Sequence, residues 1–214
     1  TWNFNRMTFT GDLSFRKVLG IENKKRPHLN RNFIINFRQR FIFGKIWTDS
    51  LGVPGQEGYN IEGNSSNDML RKNYLVDNFY GHNNLFSHYH LPGEGNIRGF
   101  VGRKERGAEA LIALSNEFGI IKNLANEDQD PLNIELVSFV DMGIFWDRQS
   151  NIDGLRKNNF HGRTLADAGI GVHLNTKLLE KDLYFRLDMP FYLYDGSNRV
   201  VDWNNWIFSF QKSL

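Results

Sequence analysis

Charged and amide side chains recur at every second position along segments whose intervening positions are aromatic or aliphatic, and this limits the fold more than any other feature. Over about 29–47, Phe33, Ile35, Phe37, Phe41 and Phe43 alternate with Asn32, Asn36, Arg38 and Arg40. A period of two is the period of a β-strand. Buried charges are costly unless paired, so so many arginines on one face do not suit a packed soluble core. A water-filled interior holds them easily. The segment at about 4–18 behaves alike, with Met7, Phe9, Leu13 and Phe15 against Arg6, Thr8, Thr10, Asp12, Ser14 and Arg16.

Five further strands are predicted at about 108–121, 132–146, 164–175, 182–193 and 203–212. Their polar rows carry Ser115 and Glu117, then Glu135 and Asp141, then Asp167 and His173, then Arg186 and Asp188. Long polar connections are expected at 48–96, 147–163 and 194–202, and shorter ones at 122–131 and 176–181. Long loops on one side and short turns on the other are the habit of transmembrane β-barrels, as are aromatic girdles at both interfaces. The chain has 18 Phe, 7 Tyr and 5 Trp, and Phe145, Trp146, Phe191, Tyr192, Tyr194, Trp203 and Trp206 fall near the expected outer ends. No segment approaches the roughly 18 consecutive apolar residues of a membrane-spanning helix.

The expected fold is therefore all-β. Seven strands cannot close a barrel of the usual bacterial kind, and an open sheet leaves two edges unpaired. Residues 1–214 read as one unit, the C-terminal portion of a larger transmembrane barrel, with a long inserted outer loop at about 48–100. Starting at Thr1, the chain is either a processed form or a segment of something longer. The competing fold is a soluble β-sandwich with the aromatics in its core.

A net charge of +2 implies no nucleic-acid partner. The absence of cysteine removes thiol nucleophiles, disulfides and thiolate metal ligands. Lys24, Lys25 and Arg26, the histidines His82, His88 and His90, and the acidic run Glu127, Asp128 and Asp130 read as solvated loops, so no metal site is expected. Gly93, Gly95 and Gly99 do not have the spacing of a dinucleotide-binding loop. No catalytic residue and no cofactor is expected.

Three strings then carry a resemblance. Leu85 to Phe100 ends in Gly93-Glu94-Gly95-Asn96-Ile97-Arg98-Gly99-Phe100; Ser115-Asn116-Glu117-Phe118 follows; Phe139-Val140-Asp141-Met142-Gly143 continues into Ile144-Phe145-Trp146-Asp147. In this order and spacing they resemble the C-terminal barrel region of the BamA/TamA superfamily of outer-membrane assembly and secretion barrels. The first is similar to that family's glycine-rich loop ending in an Arg-Gly-Phe string, the third to its aromatic-x-Asp-x-Gly strand. The tail, Ala168 to Val172 and Leu183 to Phe191, follows the same pattern. The likeness covers most of 85–214 and is looser before that. Two features depart from it: the chain ends Phe210-Gln211-Lys212-Ser213-Leu214 rather than on an aromatic residue, and the family's N-terminal POTRA repeats are not in these 214 residues.

The resemblance implies a barrel of about sixteen strands in the bacterial outer membrane. Its sixth outer loop folds inward, and Arg98 of the Ile97-Arg98-Gly99-Phe100 motif docks on the lumen carboxylates Asp141 and Glu117. Phe139 and Gly143 belong to the motif strand. The implied activity is insertion or export of other proteins, with no bond chemistry. The implied partners are outer-membrane lipid, client outer-membrane or secreted proteins, and assembly lipoproteins. A second reading makes the barrel an anchor or pore fused to an upstream enzyme domain such as a hydrolase.

Overall fold

The computed structural model describes residues 4–21, 31–48, 59, 95, 97–100, 108–124, 132–150, 156–178 and 181–212. Eight strands form one antiparallel sheet: β1 (Phe4–Ile21), β2 (Arg31–Thr48), β3 (Ala110–Asn123), β4 (Leu132–Ser150), β5 (Arg156–Leu178), β6 (Lys181–Tyr194), β7 (Arg199–Val201) and β8 (Ile207–Lys212). Each strand from β1 to β6 pairs with the next, and β7 and β8 both pair with β6. Among the described residues the sheet does not close; β1 pairs with β2 alone.

One face of the sheet is concave, as ion pairs that skip strands require. β3 and β6 are three strands apart, about 14 Å along a flat sheet. Yet the Arg186 guanidinium on β6 contacts Glu117 on β3, and Arg38 on β2 reaches Glu135 on β4 at 3.1 Å. Alternation sorts the residues onto the two faces as expected. On β3 the odd positions 111 to 119 are buried, whereas Ile112, Phe118 and Ile120 are exposed. On β4 Glu135, Val137, Phe139, Asp141, Gly143 and Phe145 are buried, whereas Leu136, Val140, Met142 and Ile144 are exposed. The charges are inside and the large apolar side chains outside.

Three expectations are corrected. The connections at 147–163 and 194–202 are shorter than expected: β4 runs on to Ser150 and β5 begins at Arg156, and the second is a tight turn at 195–198 that leads into β7. That turn is built on Asp195, whose carboxylate accepts the Ser197 and Asn198 N–H groups and is held below its ordinary pKa by them. Gly196 there has φ 92°, so a side chain would be strained. The last strand is two pieces, β7 and β8, rather than one. Phe145, expected in an aromatic girdle, is on the concave face and 3% exposed.

An apolar cluster fills one end of the concave face: Ile42 and Ile46 of β2, Leu111 and Ala113 of β3, Phe145, Leu165, and the non-strand residues Tyr59, Ile97, Phe100 and Ala108. Gly143 makes this packing possible, because a Cβ there would lie 2.8 Å from the Phe145 ring. Tyr59 ties the segment between β2 and β3 to the sheet. Its backbone bridges Ala108 through two 2.9 Å hydrogen bonds, its ring covers Gly44, and its hydroxyl donates to the Met7 carbonyl at 2.6 Å. That hydroxyl also lies 2.9 Å from Thr8 Oγ1. Tyr59→Phe removes these contacts from a fully buried site, and a loss of about 1 kcal/mol is expected. Differential melting against wild type should show a midpoint lowered by about 2–4 °C; an unchanged midpoint would mean that the hydroxyl contributes nothing to the edge strand.

Candidate functional site

Ile97 to Phe100 leave the apolar end and enter the ionic part of the concavity. Arg98–Phe100 form a single 3-10 turn, closed by the Phe100 N–H on the Ile97 carbonyl at 3.2 Å. Side chains three residues apart eclipse in such a turn. Ile97 and Phe100 therefore enter the apolar cluster together, and Arg98 points to the wall of carboxylates. All four motif residues are buried.

The Arg98 side chain is fully buried and meets three strands. Its Nε and Nη2 donate to the two oxygens of Asp141 at 2.6 and 2.8 Å, a bidentate fork. Its Nη1 lies 2.8 Å from Glu117 Oε1 and 3.2 Å from Asp188 Oδ2. The Ser115 hydroxyl accepts from Nη2 at 3.4 Å and donates to Asp141 at 2.5 Å. The Phe139 ring closes one face of the guanidinium, 3.7 Å from Cζ. That ring rests in turn over Gly169, its cross-strand partner, where any Cβ would strike the ring and the β6 backbone.

Gly99 is held on both sides of its peptide. Its N–H donates to Asp167 Oδ2 at 2.5 Å, and its carbonyl accepts from Asn205 Nδ2 at 3.1 Å. A Cβ on Gly99 would overlap Leu193 and stand 2.9 Å from Asp167 Cβ. Glycine is needed there for close approach, not for an unusual φ.

A second, more exposed ionic layer lies beside the first. Arg38 Nε pairs with Glu117 at 2.8 Å, and Arg186 contacts both Glu117 and Asp188. His173 Nε2 is 3.0 Å from Asp188 Oδ1, and the Tyr184 hydroxyl is 2.8 Å from Nδ1. Three arginines thus share Glu117, Glu135, Asp141 and Asp188. Buried pairs of this kind add little net stability over an apolar core, but removing one partner strands the others.

The structure brings together Arg98, Asp141 and Glu117, with Phe139 stacked on the guanidinium and Gly143 beneath Phe145. Asp167, Asp188, Ser115 and Arg186 belong to the polar rows of the sequence, but nothing in the pattern assigns them to Arg98 or to its carboxylates. Nor does the pattern single out Asn205, which lies between two strands, or Tyr59. His82, His88, His90, Gly93, Lys24 to Arg26 and Glu127 to Asp130 lie outside the described residues. The arrangement positions a loop: among the described residues, the polar contacts of the Arg98 and Gly99 groups are made to wall strands and to the β7–β8 connection. No family model, curated protein or solved structure matches the chain.

Proposed function

We propose that the chain is the C-terminal part of an outer-membrane β-barrel of the BamA/TamA type, of about sixteen strands, that inserts or exports other proteins. The reversed sidedness of the sheet carries this reading. Arg98, Asp141, Asp167 and Asp188 are fully buried on the concave face, while Phe9 is 61% exposed and Leu136 60% exposed on the convex face. Lipid-facing strands need an apolar outer row about 9–11 residues long. Alternate positions 134–144 of β4 supply one, with Ile134, Leu136, Val140, Met142 and Ile144, broken at Ser138.

Trp47 and Trp146 lie at the same end of the sheet and mark one interface. Trp203 stacks on Phe191 with ring centroids 4.8 Å apart. An unpaired β1 edge in lipid would expose backbone groups with no water to satisfy them, so further strands pair it in the membrane. The Arg98 turn is a latch that fixes the inserted loop against the wall. Client strands add to the sheet edge where the barrel parts. The mechanism uses neither a cofactor nor a covalent step.

Fractionation tests the membrane reading. The protein should sediment with outer membranes, resist carbonate extraction and need detergent to dissolve. Recovery as a soluble monomer without detergent sinks it. Depletion of the protein should lower the surface levels of other β-barrel or secreted proteins; levels unchanged, with a catalytic domain found upstream of Thr1, favour the fused-enzyme reading.

A further inference from the structure

The last strand is interrupted where the latch touches it. β5 occupies one edge of β6 along 181–194, so β7 and β8 share the other edge. Ile207 pairs with Asp188 and Val201 with Tyr192. Residues 202–206 therefore span the same gap as residues 189–191 of β6, and the outer strand carries two extra residues. Pro190 lies in that gap and has no N–H to give a ladder. On its other side β6 bulges as well, since Ala168 pairs with Tyr192 and Gly169 with Pro190. Both irregularities thus fall at one level of the sheet.

Freed from the ladder, Asn205 donates through its side chain to the Gly99 carbonyl. The peptides flanking Gly99 are consequently anchored on two different strands: the N–H on β5 through Asp167, the carbonyl on the last strand through Asn205. The residue after this connection, Ile207, is 2% exposed and begins β8. β8 has six residues at the sheet edge, and short edge elements open locally at low free energy.

We propose that Asn205 couples the latch to the last strand, so that the Arg98 turn and the β6–β8 ladder loosen as one unit. This rests on reading the Arg98 turn as a latch. An interruption that would otherwise weaken the edge becomes the point through which the loop's position is transmitted to it. Asn205 is a positioning residue.

Amide hydrogen exchange on the full chain in bilayers or micelles tests the coupling. Asn205→Ala, and the isosteric Asn205→Asp that cannot donate, should each speed exchange in β8 about tenfold, the effect of losing about 1.4 kcal/mol. The β3–β4 ladder should stay protected. Arg98→Ala should loosen β8 in the same way, and adding Asn205→Ala to it should have little further effect. If Arg98→Ala exposes the latch to protease while β8 keeps its protection, the latch stands and the coupling is overturned. If it changes neither, the latch reading itself fails and the coupling with it. Should Arg98→Ala not fold, unchanged β8 exchange in both Asn205 variants overturns the proposal alone.

Discussion

Arg98→Ala is expected to release the inserted loop. The guanidinium meets Asp141 through a fork and lies within 3.2 Å of carboxylates from Glu117 and Asp188. Without it, Glu117 and Asp188 still have Arg186, but Asp141 is left, among the described residues, with the Ser115 hydroxyl and a 3.5 Å hydrogen bond from the backbone N–H of residue 98. Removing one partner of a buried ion pair costs about 3–5 kcal/mol, so the closed form should lose roughly a hundred- to several-thousand-fold in population. Cleavage of the 97–100 segment by external protease in membrane-embedded protein measures this directly, and client assembly should fall in parallel. Arg98→Lys should be intermediate, because an ammonium cannot fork onto Asp141. Asp141→Asn should act like Arg98→Ala, and the double variant should be far from additive. A loop in Arg98→Ala that is cut no faster than in wild type would show that the ion pairs do not hold it.

Strand identity and sidedness were legible because a β-strand has a strict period: once Phe139, Asp141 and Gly143 are placed on one face, Val140 and Met142 must take the other. The pattern failed where one face ceases to be apolar. From Asp147 to Ser150, which pair with Arg156 to His161, the residues are all polar or charged and leave no alternation to read. β6 misleads differently. Its bulge leaves Phe191 without a partner on β5, so Asp188 and Leu193 are both buried although they differ in parity. The contacts of Arg98 and Gly99 were partly legible. Asp141 and Glu117 lie on neighbouring strands, where parity suffices. Asp188 and Asn205 come from the far side of the concavity, and only the curvature of the sheet brings them in. Asn205 obeys no period at all, because it acts from the gap between β7 and β8.

Gly99→Ala should open the latch by a different route, leaving every charge in place. The added Cβ would overlap a Leu193 methyl and stand 2.9 Å from Asp167 Cβ. The leucine can rotate aside; Asp167 Cβ is fixed to the β5 backbone. Overpacking of this kind costs about 1–3 kcal/mol, which predicts a roughly five- to 150-fold rise in loop cleavage. Leu193→Ala in the same chain should recover part of the loss and no more, since it removes the soft contact and leaves the hard one. Gly11→Ala on β1 is the control: its Cβ would lie 3.9 Å from the Phe9 ring, an ordinary contact, and cleavage should not change. A Gly99→Ala protein with a closed loop would require β5 to have moved, and the Gly99 N–H bond to Asp167 would then be the place to look for it. Together with Arg98→Ala, this variant separates the two halves of the motif. Arginine supplies the attraction, and glycine lets the chain come near enough for the attraction to act.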